Sequence, residues 1–140
     1  MATIKDGLYT YLVSKSEITD LVGLKIFPNQ APNSSELPYI TVARVASDGE
    51  HHLSDASKQV TDTFELEVFG RDSIEVENIA EAIRDKVDGF RGLMGSTEVG
   101  SALIVSQNDD FIVDDQGTDI QSFRISITVD ISHFRSVPTL

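Results

Sequence analysis

The sequence predicts an α+β fold: a mostly antiparallel β-sheet of about four strands, helices packed on one face, and long loops between strands. Two segments carry the strand period of two. Phe64, Leu66 and Val68 alternate with Thr63, Glu65 and Glu67, and Phe123, Ile125, Ile127, Val129 and Ile131 alternate with Arg124, Ser126, Thr128 and Asp130. Between them, Val76, Ile79, Ala80, Ile83 and Val87 recur at helical spacing. Strands grouped around one strong helix favour antiparallel pairing with helices on one side.

The first element is a helix from about Thr3 to Ser14. Ile4, Leu8, Tyr11 and Leu12 share one face, and Thr3 with Asp6 has the spacing of an N-cap pair. A shorter helical turn over Ser16 to Val22 stops at Gly23, where a residue without Cβ can turn left-handed. Lys25-Ile26-Phe27 reads as a short extended piece. The prolines and asparagines of Pro28 to Ser35 then mark an irregular loop.

Pro38 precedes a strand over Tyr39 to Ala46, and a proline there costs no interior ladder bond. Ser47 to Gln59 is read as an exposed excursion, longer than a hairpin loop, before a strand over Val60 to Phe69. Asp72 and Glu75 start the main helix like a capping box, and it runs to Gly89. Its other face, with Glu77, Glu81, Arg84 and Asp85, is solvated. Gly89-Phe90-Arg91-Gly92 reads as a C-cap and turn. Glu98 to Gln107 is a strand, and Asp109-Asp110 with Asp114-Asp115-Gln116-Gly117 form a polar connection to the final strand.

With 140 residues and 40% hydrophobic content, residues 1–140 are expected to form one domain, with 135–140 as a flexible tail. No apolar run approaches the roughly 20 residues that span a bilayer, and Met1 to Asp6 lacks a signal-peptide core, so no membrane partner is expected. The absence of cysteine removes disulfides, thiol nucleophiles and the common zinc sites. A formal charge of −12 opposes any role in gripping nucleic acid, which needs clustered Lys and Arg.

Catalytic signatures are weak. Asp109, Asp110, Asp114 and Asp115 are hard-cation ligand types, yet their order does not match an EF-hand, and a solvated acidic turn explains them. His51 and His52 are adjacent and would diverge on a regular strand. A metal-dependent hydrolase or nuclease built on the Asp109 to Asp115 cluster with one of these histidines is the alternative from the enzyme class. The sequence has no Gly-x-Ser-x-Gly elbow and no P-loop. The expectation is a non-enzyme with no cofactor and no resident metal, and a cytoplasmic interaction module is a further alternative.

The order of short motifs resembles the tail completion, or tail terminator, proteins of long-tailed phages. These motifs are Leu21-Val22-Gly23, Ile26-Phe27-Pro28, Ala31-Pro32, Leu37-Pro38-Tyr39, His51-His52-Leu53, Phe64-Glu65-Leu66 and Val87-Asp88-Gly89-Phe90-Arg91-Gly92, followed by an Asp-Asp segment and a long last strand. The resemblance spans nearly the whole chain. It departs at Asn33-Ser34-Ser35-Glu36, which lengthens the proline loop.

The resemblance implies a structural virion protein at the head-proximal end of the tail, assembled in the host cytoplasm. It implies a homo-hexameric ring whose partners are the tail tube protein and the head-tail connector or stopper, with DNA passing through unbound. Tube or connector contacts fall to Pro28, Asn29, Pro32, His51, His52 and Leu53. Glu65, Glu67, Asp109, Asp110, Asp114 and Asp115 are the expected lumen carboxylates. A domain of this length approximates a sphere of about 19 Å radius, so six in contact leave a hole of about 19 Å radius and four only about 8 Å, too tight for duplex DNA of about 10 Å. Six copies carry 6 × −12 = −72 charges, which would keep passing DNA from adhering.

Overall fold

The computed structural model describes residues 3–32, 35–49, 59–113, 117 and 120–134. Helix α1 is Ile4–Val13 and α2 is Ser16–Val22; strand β1 is Ile26–Pro28, β2 is Tyr39–Gly49 and β3 is Gln59–Gly70. Helix α3, Ser73–Val87, follows, then β4 (Phe90–Met94), β5 (Thr97–Val113) and β6 (Ile120–Phe134).

The strands form one sheet in the order β1-β2-β3-β6-β5-β4. All neighbours are antiparallel except β1 and β2. The sheet therefore has six strands where about four were expected. The two added strands are its edges. By its sequence β1 is only a short extended piece, and β4 takes the place of the turn expected at Gly89 to Gly92. β4 is short and glycine-bearing, and it is recruited by tertiary pairing of Phe90 with Ala102 and Met94 with Thr97 rather than by its own propensity.

Helix starts follow the sequence closely. The Thr3 hydroxyl accepts from the Asp6 N–H and the Asp6 side chain answers to the Thr3 N–H, a complete capping box. The Asp72 carboxylate accepts from the Glu75 N–H at 2.8 Å to open α3. Gly23 ends α2 at φ 63°, a conformation that costs glycine little. Gly7 packs so tightly under the β4–β5 turn that a Cβ there would collide with the Met94 carbonyl.

The helices cover one face of the sheet. Leu8 and Leu12 of α1, Ile18 of α2 and Ile79 and Ile83 of α3 meet Ile40, Phe64, Leu66, Ile127, Val129 and Ile131, all fully buried or nearly so. Each such side chain stabilises the fold by about 1.5–3 kcal/mol relative to exposure. The Tyr11 hydroxyl donates to the Lys86 carbonyl at 2.5 Å, and its ring packs 4.5 Å from Phe90, tying α1 to the end of α3 and to β4.

Strands run further than their alternation. β2 continues past Ala46 to Gly49, and β6 covers Ile120 to Phe134 rather than only Phe123 to Ile131. β5 runs through Asp109 and Asp110, so these two are strand residues and not part of a connection. Pairing of Asp109 with Ile125 and Asp110 with Arg124 holds them there, overriding the poor strand propensity of aspartate.

Candidate functional site

The face of the sheet opposite the helices is built by the other half of each alternation. On β3 it presents Thr61, Thr63, Glu65, Glu67 and Phe69, all half-buried. Directly opposite on β6 stand Ser132, Asp130, Thr128, Ser126 and Arg124. β5 adds Asn108 and Asp110, and β2 adds Tyr39 and Thr41.

These side chains bond to one another across the strands. The Thr63 hydroxyl donates to Asp130 at 2.7 Å, and the hydroxyls of Thr61 and Ser132 are 3.0 Å apart. Arg124 bridges two carboxylates, Glu67 at 3.3 Å and Asp110 at 2.7 Å. Its Nε is buried without a partner among the described residues.

Electrostatics differ within this network. Burial, then the neighbouring Glu65, pushes the Glu67 carboxyl above its ordinary value, and Arg124 only partly offsets this. The Asp110 carboxyl is held below its ordinary value, first by the Phe111 N–H and then by Arg124. Among the described residues of β2, β3, β5 and β6 the face carries Asp48, Glu65, Glu67, Asp110 and Asp130 with Arg124 as the cation, so this part of it is acidic.

The proline loop lies against one end of the same face. Asn29, at φ 65°, donates its N–H to the Val42 carbonyl, and its side chain accepts from Lys5 at 2.9 Å. Together with Gln30 and Pro32 it borders an open cleft of about 440 Å³ floored by Tyr39, Glu67 and Phe69. The rings of Tyr39 and Phe69 stack 4.8 Å apart. Burial, with Glu67 adding, raises the Tyr39 hydroxyl pKa.

Residues singled out from the sequence thus separate into groups. Glu65, Glu67 and Asp110 converge on the helix-free face, and Asn29 and Pro32 border its cleft beside Glu67, with Pro28 exposed at the end of β1. Asp109 pairs with Ile125 and so falls on the helix side, exposed at the sheet margin. His51, His52, Leu53, Asp114 and Asp115 lie outside the described residues. Among the described residues no three His, Asp or Glu groups could hold a metal ion.

Sequence reasoning overlooked Arg124 as the bridge, and it overlooked a buried pair. The imidazole Nε2 of His133 sits 3.0 Å from Asp62 Oδ2, and both residues are about as buried as the core, at 5% and 2% exposure. Arg44 approaches the same carboxylate at 3.9 Å, while Asp62 Oδ1 and His133 Nδ1 have no partner among the described residues. The signal was present: Asp62 is in phase with Phe64 and Leu66, and His133 with Val129 and Ile131. With Nδ1 unpartnered, the imidazole has a carboxylate and no hydroxyl nucleophile in hydrogen-bond contact, so the described residues assemble no triad.

Comparison with known proteins gives three findings. Among curated proteins, no sequence matches the chain. Among solved structures, a chain from the virion of a native gene transfer agent (GTA) particle matches with a TM-score of 0.67 at 13% identity, covering 91% of this chain and 92% of that one. At that identity the likeness speaks to the fold. The family model for tail completion protein gp17 matches residues 6–131. The chain therefore belongs to the tail completion protein gp17 family and is a structural protein of the phage tail.

Proposed function

We propose that six copies close into a ring at the head-proximal end of the tail, stop growth of the tail tube, and join it to the head connector while leaving a channel for DNA. Residues 1–140 act as one unit in this ring, which assembles in the host cytoplasm and catalyses nothing. The observation that carries the reading is the helix-free face: a broad, acidic, internally bonded surface that no helix covers among the described residues, on a sheet whose other face packs under three helices.

Such a surface suits the wall of a channel that passes DNA. Carboxylates repel phosphates, and side chains already bonded to one another offer few free donors. Glu65, Glu67 and Asp110 line the channel in this proposal. Asp109 belongs to the outer, helix side of the wall, and Asp114 and Asp115 follow the end of β5. The Pro28, Asn29 and Pro32 loop, with His51, His52 and Leu53, meets the tube or the connector.

The test is charge reversal. Phage carrying Glu65→Lys with Asp110→Lys should assemble tails yet lose infectivity by an order of magnitude or more through impaired DNA release. Normal infectivity from such phage sinks the channel assignment.

A further inference from the structure

The sheet ends unevenly on its two sides. On one side β1 covers only Ile40 to Val42 of β2, so β2 from Ala43 to Asp48 has no strand beside it among the described residues. On the other side β4 covers β5 only as far as Ala102. The next N–H, of Ile104, is taken by the Asp88 carboxylate at 2.9 Å, and beyond it β5 from Val105 to Val113 has no outer neighbour among the described residues.

Both bare edges carry exposed apolar side chains: Val45 on β2, and Val105, Phe111 and Val113 on β5. Each edge also holds a register shift, between Arg44 and Ala46 and between Ile104 and Ser106. An uncovered edge of this length is a template for another strand. The charges are complementary, since Arg44 extends half-exposed from the helix side of the β2 edge and Asp109 lies exposed on the same side of the β5 edge.

We propose that the β5 edge, Val105 to Val113, pairs antiparallel with the β2 edge, Ala43 to Asp48, of the next copy, so that the ring is one continuous sheet with the helix-free face inward. The inference rests on the ring reading and specifies its interface. Sense is satisfied: β2 and β6 run one way and β3 and β5 the other, so β5 meets a rotated copy of β2 antiparallel. The two edges differ, which makes the contact heterologous, the type that generates rings.

The offset between the edges fits closure. Through β3, Ala43 is level with Thr128 and Asp48 with Ser132, whereas Ser106 is level with Thr128 and Ile112 with Ser122. Bringing levels 128–132 alongside 122–128 needs a slide of about four to six residues, or ~13–20 Å. Spread over the four strand spacings of one copy, ~19 Å, this is a tilt of about 35–45°, the tilt of closed barrels. Six copies would give a wall of roughly 24 strands and about 24 Å backbone radius, wide enough for duplex DNA.

The cysteine-free chain permits a direct test. Ala46 and Asn108 are exposed on the same sheet face and come level after a four-residue slide. The double variant Ala46→Cys with Asn108→Cys, oxidised at assembling concentration or on purified tail tubes, should give a ladder of disulfide-linked subunits on non-reducing gels. Ala46→Cys with Asp110→Cys tests the six-residue slide in the same way.

Mixing the two single variants should give heterodimer only, and Ile74→Cys with Asn108→Cys, which places one thiol on α3, should give no ladder. Rings visible by microscopy with no ladder from either edge pair would overturn the edge pairing and leave the ring standing. Monomers that neither assemble nor cap tubes would overturn both.

Discussion

Along β3 and β6, neighbouring residues experience opposite environments. Phe64, Leu66, Ile127 and Ile131 are withdrawn from water beneath three helices, whereas Thr63, Glu65, Glu67 and Asp130 on the other face stay partly wet and bond to one another. The apolar face is where folding free energy is gained, because burial scales with apolar area removed from water. The polar face contributes little by that measure. Its threonines, serines and carboxylates form pairs worth only tenths of a kcal/mol each. Residues there are constrained by what the face must present.

Truncation should separate the faces most sharply. Phe64→Ala leaves a cavity under α3 and is expected to cost about 3–5 kcal/mol in chemical denaturation, whereas Thr128→Ala on the other face should cost under about 1 kcal/mol. Similar losses from both would mean that the helix-free face is a second core.

The buried Asp62–His133 pair is the exception on the apolar face, and it sharpens the rule. Asp62→Ala should cost about 1–3 kcal/mol, because it strands the imidazole away from water. Replacing both residues with apolar ones of similar size should recover much of that loss. A double-mutant cycle measures the difference, and strictly additive losses would contradict the pairing.

Smaller effects should appear in pH dependence, with opposite signs at two glutamates. Glu67 has its folded value raised above the ordinary 4.5, chiefly by burial, so the folded state holds this proton more tightly. Its contribution is fully present below 4.5 and is lost as pH rises through the folded value. Glu75, lowered chiefly by its hydrogen bond from Arg71, contributes above the ordinary value and loses that contribution as pH falls. Glu67→Gln should therefore gain stability relative to wild type as pH rises, and Glu75→Gln should lose it. Thermal unfolding at acid and neutral pH reads both signs.

Much of this contrast was legible in the sequence. The alternation of Phe64 to Val68 and of Phe123 to Ile131 marks both faces, and Asp72 with Glu75 marks the start of α3 to the residue. What escaped has a physical reason in each case. β4 is five residues with a glycine inside, and it becomes a strand only by pairing with β5. Asp109 and Asp110 sit on the stretch of β5 beyond its pairing with β4, exposed on both faces, where no apolar phase betrays the period.

Register, not local pattern, sends Asp110 to the helix-free face and Asp109 to the other. The coming together of Glu67, Arg124 and Asp110 from three strands likewise required the strand order. Asp62 was visible as a charge in the apolar phase, and its partner 71 positions away was not.

The central claim is that the acidic face lines a closed ring on the tail tube. Negative-stain microscopy of the purified protein mixed with tail tubes tests it most directly. Six-fold rings seated on one end of each tube, with a central hole wide enough for duplex DNA, are the predicted result. Monomers that leave both ends of the tubes bare would contradict it.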